Sequence, residues 1–257
     1  MTSLPLQGIL FDLDDTLIDW SHFNGDWITF EREHMKRVYD FVQSKGYLQG
    51  LTFKRVLNDY TSRVKDAWAS ARSTMRAPHL GRILMQTLHT LGLPDNSLTE
   101  DQCLAVYGWD ALEGVRVFPD VPPMLQSLID KGIKIGIVTN AFQPMRLRDK
   151  ELQTHGLLDY FPDCRISAAD VGYLKPHPQI FAQALKEIGT QPDRTVFIGD
   201  SPSADIAGAQ AANMKAVLRV KHPAPPLISG LIVPDAAINS MEELPSVLTR
   251  WYPGWDH

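Results

Sequence analysis

The sequence predicts an α/β protein: a parallel sheet covered by helices on both faces, with an all-helical layer inserted after the first strand. Three observations carry this. From Val121 onward, short apolar runs alternate with amphipathic helical patterns, as in βαβ units. Residues 20–115 show only helical spacing, with apolar positions recurring three and four apart. The opening run Gly8-Ile9-Leu10-Phe11 has the character of the later strands and not of the helices that follow it. Residues 1–18 and 116–257 are therefore assigned to the sheet-bearing core and 19–115 to the helical insertion.

After the first strand, helices are expected over Gly25 to Ser44 (ended by Gly46), Thr52 to Ser73, Leu80 to Leu91 (ended by Gly92) and Thr99 to Leu112 (ended by Gly114). Pro122 and Pro123 then suit a helix start; Val121, Met124, Leu125, Leu128 and Ile129 share a face, and Gly132 is the terminator. The strand Ile133 to Val138 follows. A second such unit places Ile180, Phe181, Ala184, Leu185 and Ile188 on one helix face, ended by Gly189, before the strand Thr195 to Ile198. Lys215 to Val220 and Gly230 to Val233 read as further strands. The aromatic tail from Arg250 to His257 is expected to cover an edge of the sheet or touch a partner, docking on its own domain being the plainer outcome.

Composition narrows the function. The 257 residues carry 25 Lys+Arg against 30 Asp+Glu, a formal net charge of −5, with 44% hydrophobic and 21% charged residues. That is an ordinary globular composition, long enough to bury a real core. It lacks the basic footprint of proteins that bind nucleic acid or anionic membranes. The two cysteines, Cys103 and Cys164, form no metal-ligand spacing, and no apolar run approaches the ~18 residues of a membrane span. The N-terminus lacks a signal-peptide pattern. The expectation is a cytoplasmic monomer or homodimer with no nucleic acid polymer and no membrane as partner.

Ligands of open α/β sheets bind outside the carboxyl ends of the strands. The first strand ends in Asp12-Leu13-Asp14-Asp15-Thr16, where a period of two puts Asp12 and Asp14 on one side and Asp15 on the other. Two adjacent carboxylates repel and call for a cation or a shared proton. An EF-hand calcium loop is excluded, since Leu17 and Phe23 stand where its Gly and Glu would be. A solvated turn remains the structural alternative. The second strand ends in Thr139-Asn140, a hydroxyl and backbone N–H groups suited equally to an anion or a helix cap. Lys175 brings a cation in a loop before a helix, where most lysines are solvated. Gly199-Asp200-Ser201 ends another strand on a carboxylate, with Asp205 five residues later.

Together and in this order, Phe11 to Leu17, Ile137-Val138-Thr139-Asn140, Lys175, and Gly199-Asp200-Ser201 with Asp205 resemble the four motifs of the haloacid dehalogenase superfamily of phosphohydrolases. The resemblance spans residue 6 to about 220. It implies a Rossmann-like parallel-sheet core with an inserted C1-type helical cap. It also implies a Mg²⁺-dependent hydrolysis of a small phosphorylated metabolite through an aspartyl-phosphate. Asp12 would be the nucleophile and a metal ligand, Asp200 a second ligand, and Asp14 both a backbone ligand and the acid/base, a role needing a pKa raised above ~3.9. Thr139, Asn140 and Lys175 would hold the phosphoryl oxygens, and Asp205 would orient Lys175 or a metal-bound water from behind. Ser201 is read as a helix cap in preference to a metal contact, and His177 as a surface or packing histidine in preference to a base.

Within the superfamily, Asp14 disfavours dehalogenases, which lack that aspartate. Phosphosugar mutases share the motifs, although they usually show Gly where this chain has Asp15. Phosphonatases need a cap lysine, and none of Lys36, Lys45, Lys54 and Lys65 is distinguished. A non-catalytic scaffold would be expected to have lost a motif residue. Motifs one and two and the segment around Lys175 are similar to the nucleotidase-like branch. Trp20, His22, Phe23 and Trp27 could stack on a substrate or form bundle core. Arg146 and Arg148 could meet a second anion, exposed helix charge being the plainer expectation.

Overall fold

The computed structural model describes residues 5–220 and 232–256. In chain order, β1 (Gly8–Phe11) and β2 (Ile18–Asp19) lead into four helices, α1 (Trp27–Ser44), α2 (Phe53–Thr74), α3 (Leu80–Thr90) and α4 (Glu100–Tyr107). The chain returns through β3 (Arg116–Val117), which pairs antiparallel with β2. It then runs through α5 (Val121–Asp130), β4 (Lys134–Thr139), α6 (Met145–Thr154), β5 (Arg165–Ser167), α7 (Ala168–Val171) and α8 (Pro178–Ile188). Last come β6 (Thr195–Gly199), a π-turn at Pro202–Ile206, α9 (Ala207–Ala211), β7 (Lys215–Arg219), β8 (Ala236–Ile238) and α10 (Leu244–Trp251). Among the described residues no helix is long and apolar enough to cross a membrane.

The six-stranded sheet has the order β5-β4-β1-β6-β7-β8, and every pairing in it is parallel. Both faces are buried, as the alternation along each strand shows. Ile9, Phe11, Ile137 and Ile198 enter one apolar cluster, whereas Leu10, Val138 and Phe197 enter another. The helices α1 to α4 bury a third, built on Met35, Val38, Tyr60, Leu84, Leu88 and Leu104. The chain runs outward from β1 through β4 to β5, then crosses to the other side of β1 for β6, β7 and β8. That reversal opens a crevice at the carboxyl end of β1. Register aligns Phe11 with Ile137 and Ile198, so Asp12, Thr139 and Asp200 emerge side by side there.

Several expected boundaries shift. The last helix of the insertion ends at Tyr107, not Leu112, because Gly108 takes φ +70°, outside helical space, and redirects the chain so that Trp109 turns inward. Of the strand expected over Gly230 to Val233, Gly230 and Leu231 lie outside the described residues, while Ile232 and Val233 are irregular. The edge strand is Ala236–Ile238 instead. Its pairing with β7 is set at Asp235, whose N–H donates to the Ala216 carbonyl while its Oδ2 accepts from the Ala216 N–H. The aromatic tail docks on its own sheet layer: Tyr252 and Trp255 are buried against Leu244 and Leu248, and Lys131 lies over the Trp255 ring. His257 lies outside the described residues.

Candidate active site

Strand β1 delivers Asp12 into the crevice, where it is 7% exposed. Lys175, 4% exposed, reaches it from the loop before α8: its Nζ lies 2.6 Å from Asp12 Oδ1, 2.7 Å from Asp205 Oδ1 and 2.8 Å from the Val138 carbonyl. Asn140 holds that loop in place. Its Oδ1 accepts from the Lys175 N–H at 2.7 Å and its Nδ2 donates to the Lys175 carbonyl at 3.2 Å. Gly199 is required here, since a Cβ at this position would run into the Asp205 carboxylate. The Ser201 N–H fixes Asp205 Oδ2 at 2.9 Å, and the Ser201 hydroxyl caps the turn by accepting from the Ala204 N–H. Burial pushes Asp12 up to about 7, with Lys175 pulling against it and Asp205 and Asp14 adding to it. Lys175 goes up as well: burial opposes its charge, but the Asp12 and Asp205 carboxylates outweigh that.

Asp14 stands in a different environment. Arg148, 3% exposed on α6, places Nη2 2.7 Å from its Oδ1 and Nη1 3.3 Å from its Oδ2. Trp20 Nε1 donates to Oδ1 at 2.9 Å, and the Thr139 hydroxyl donates to Oδ2 at 3.3 Å. Burial pushes the Asp14 carboxyl up, yet the Arg148 charge and these donors outweigh it and hold the pKa below its ordinary value. The elevation expected from neighbouring carboxylates is therefore overturned, because the sequence did not reveal the guanidinium. Arg148 is likewise no exposed helix charge. It also pairs with Glu151 at 2.6 Å, and Glu151 accepts from Trp109 Nε1 at 2.8 Å.

The carboxylates of Asp12, Asp200 and Asp205 can bring one oxygen each within 4.8 Å of the others. An all-oxygen, acidic donor set suits a hard divalent cation. Asp205 spends one oxygen on Lys175 and the other on the Ser201 N–H, which leaves Asp12 and Asp200 as the better ligands.

These groups open on a cavity of about 620 Å³ roofed by the helical layer. Trp20 and Trp27 line it, joined by Glu31 of α1, Trp68 of α2, Trp109 and Phe142. The Trp27 ring lies near-parallel to both Trp20, at 25°, and Trp109, at 13°. Asp15 also borders the cavity. Its φ of +60° turns the chain, so the strand alternation that would point it away ends before it. Phe23 packs against Trp20 and the sheet cluster, and His22 lies outside the lining. Lys36, Lys45, Lys54 and Lys65 do not line the cavity either. His177 caps α8 and stacks on Tyr173. Sequence reasoning missed Glu31, Trp68, Trp109 and Glu151. The one signal available was the Arg148–Glu151 spacing, an ion pair at i,i+3 on the helix that follows the second motif.

The helical layer closes directly on the core. Leu80 N–H donates to the Phe142 carbonyl, Ala77 N–H to Gly172 and Leu174 N–H to Met75. Arg146 bonds Glu100 and Asp101 across the same boundary.

The chain is similar to known proteins. A ribulose-1,5-bisphosphate 5-phosphatase from Halopiger xanaduensis is 31% identical over 82% of this chain and 83% of its own. A glyceraldehyde 3-phosphate phosphatase from Methanothermobacter thermautotrophicus is 32% identical over 83% and 85%. Among solved structures, a 2-haloacid dehalogenase from Pseudomonas syringae pv. Tomato superposes with a TM-score of 0.62 at 29% identity, covering 96% of this chain and 99% of that one. The family model for haloacid dehalogenase-like hydrolases matches residues 6–213, and the chain belongs to that family.

Proposed function

We propose that this protein hydrolyses phosphomonoesters of a small metabolite, with Asp12 as the nucleophile. The observation that carries this is the pairing of a buried Asp12 with Lys175 beside a second, separately held carboxylate, Asp14. A carbon–halogen hydrolysis needs no group to protonate a departing alcohol, so Asp14 favours the phosphate ester. The two phosphatase relatives, named for sugar-derived phosphates, support the same choice.

An Asp12 oxygen attacks phosphorus and the ester P–O bond breaks, giving an aspartyl-phosphate and an alkoxide that takes a proton from Asp14. Incoming phosphoryl charge opposes the pull of Arg148 on Asp14 and raises its proton affinity for that step. In the second step Asp14 removes a proton from water, which attacks phosphorus and releases Asp12. Thr139, the N–H groups near Asn140, and Lys175 hold the phosphoryl oxygens, and Asp205 keeps Lys175 aimed at them. Mg²⁺ fits the Asp12 and Asp200 carboxylates, with the Asp14 backbone carbonyl as a further donor; when bound it supplies charge neutralisation for the phosphate among the acidic groups.

The test is phosphate release from nucleotides, sugar phosphates and small phospho-acids, with Mg²⁺ or with chelator. Turnover dependent on metal and abolished in Asp12→Asn is the expected result. No release, or phosphoryl transfer within a sugar without free phosphate, would overturn it in favour of a scaffold or a mutase.

A further inference from the structure

The charges around the cavity are one-sided. Its two cations, Lys175 and Arg148, are each held between two carboxylates, Asp12 with Asp205 and Asp14 with Glu151. Arg146, the basic group expected to meet a second anion, is drawn to Glu100 and Asp101 and does not line the cavity. On the side away from the strand ends, the roof presents Glu31, which forms no salt bridge among the described residues, and burial pushes its carboxyl above the ordinary range. The surface between is indole and phenyl: Trp27, 46% exposed, with Trp68, Trp109 and Phe142.

A phosphoryl group can use Lys175 and a divalent cation at the strand ends. A second anion on the same substrate, lying toward the roof, would meet no cation there among the described residues. There it would face a carboxylate and the electron-rich faces of indoles, each of which disfavours negative charge. A hydroxyl or ammonium group finds the opposite. Glu31 accepts its hydrogen bond, and the rings cover its carbon skeleton.

We propose that the leaving group carries no second anion: it is a non-anionic alcohol that lays its carbon skeleton on Trp27, Trp68 and Phe142 and donates a hydrogen bond to Glu31. This rests on the phosphomonoesterase reading and narrows it. Glu31 is then a specificity-determining residue, acting on which ester is accepted and not on the chemistry at phosphorus. It also separates the two relatives' namesake substrates, favouring a singly phosphorylated aldehyde or polyol over a bisphosphate.

The experiment measures kcat/KM on matched esters that differ by one anionic group: glycerol 3-phosphate against 3-phosphoglycerate, and fructose 6-phosphate against fructose 1,6-bisphosphate. Phosphocholine serves as a cationic arm, and p-nitrophenyl phosphate reports the chemistry itself. The member of each pair whose only anionic group is the scissile phosphate should be preferred by about tenfold or more. Glu31→Gln should narrow that ratio several-fold by raising turnover of the member with the second anionic group. Equal or better turnover of the esters with a second anionic group, or a ratio unmoved by Glu31→Gln, would overturn the inference while leaving the hydrolase intact. Absence of phosphate release from every ester, p-nitrophenyl phosphate included, would instead overturn the phosphomonoesterase reading beneath it.

Discussion

Asp12 and Asp14 lie two residues apart in one motif, both look into one cavity, and their carboxyls are driven in opposite directions. Asp12 is pushed up to about 7 by burial, shares its one cation with Asp205, and is surrounded by groups from the ends of β1, β4 and β6 and the adjacent loop. Asp14 is pulled down because Arg148 faces it with two nitrogens and Trp20 and Thr139 add donors. The first cluster belongs wholly to the sheet-bearing core, at strand ends and the loops beside them. The second reaches into the helical layer, from Arg148 to Glu151 to Trp109, and through Trp20 in the outgoing link. The two carboxyls proposed as nucleophile and acid/base are thus given separate electrostatic supports, and only the second reaches the helical layer.

Removing the cation from each cluster tests that division. Lys175→Met would leave two buried carboxylates facing one another, and breaking such a pairing costs about 3–5 kcal/mol. Thermal unfolding should fall accordingly, and turnover should fall by at least ~10²-fold through loss of a phosphoryl-oxygen donor. Retained activity in a folded Lys175→Met protein would show that the sheet cluster is not the reacting one. Arg148→Met should lower turnover by about 10²-fold or more by releasing Asp14 from its position, and should also cost stability, because it leaves the fully buried Glu151 without its cation even though Asp14 retains Trp20 and Thr139. Arg148→Lys should recover only part of it, since an ammonium cannot reproduce the two-nitrogen grip. Full activity in the lysine variant would show that charge alone suffices.

The same contrast explains what the sequence discloses. Asp12, Thr139 and Asp200 could be found because each follows an apolar strand, and parallel register brings such ends together whatever the intervening chain does. Lys175 and Asp205 were placed in the site only by the resemblance of the four motifs, since a lone loop lysine reads as a solvated charge. Arg148 could not be found that way. Helix α6 is polar along most of its length, and what buries Arg148 is Trp109, 39 positions earlier in the chain, whose ring lies 5.5 Å from the guanidinium. Trp109 points inward only because Gly108 ends α4 early, a one-residue event inside a pattern that reads as continuous helix to Leu112. The edge strand was misplaced for a related reason: apolar content marked residues 230–233, whereas the register is set by the polar Asp235. Local pattern locates groups that secondary structure aims, and misses those that only tertiary packing turns inward.

A buried arginine–carboxylate pair outside the cavity offers a comparison, tied to the first motif through the Thr16 carbonyl, which accepts from Arg219 Nη1 at 3.1 Å. Arg219 on β7 reaches Asp120 at 3.0 Å and covers the Phe118 ring, and Asp120 also accepts from the Met241 N–H at 2.7 Å and the Ser240 hydroxyl at 2.9 Å. Burial pushes Asp120 up, but the Met241 N–H and Arg219 outweigh it and hold its pKa below the ordinary value. A carboxyl whose folded pKa is depressed binds fewer protons folded than unfolded. Its contribution to stability is therefore complete above about pH 4 and is lost as pH falls through the folded value. Urea midpoints measured from pH 6 down to pH 3 should decline less steeply in Asp120→Asn than in the parent protein, while its turnover at neutral pH should fall far less than in Arg148→Met, because Asp120 does not line the cavity. A large loss of turnover in Asp120→Asn would mean that the contact from Arg219 through Thr16 to Asp12 also holds the nucleophile in place, so that Asp12 is not supported by its own cluster alone.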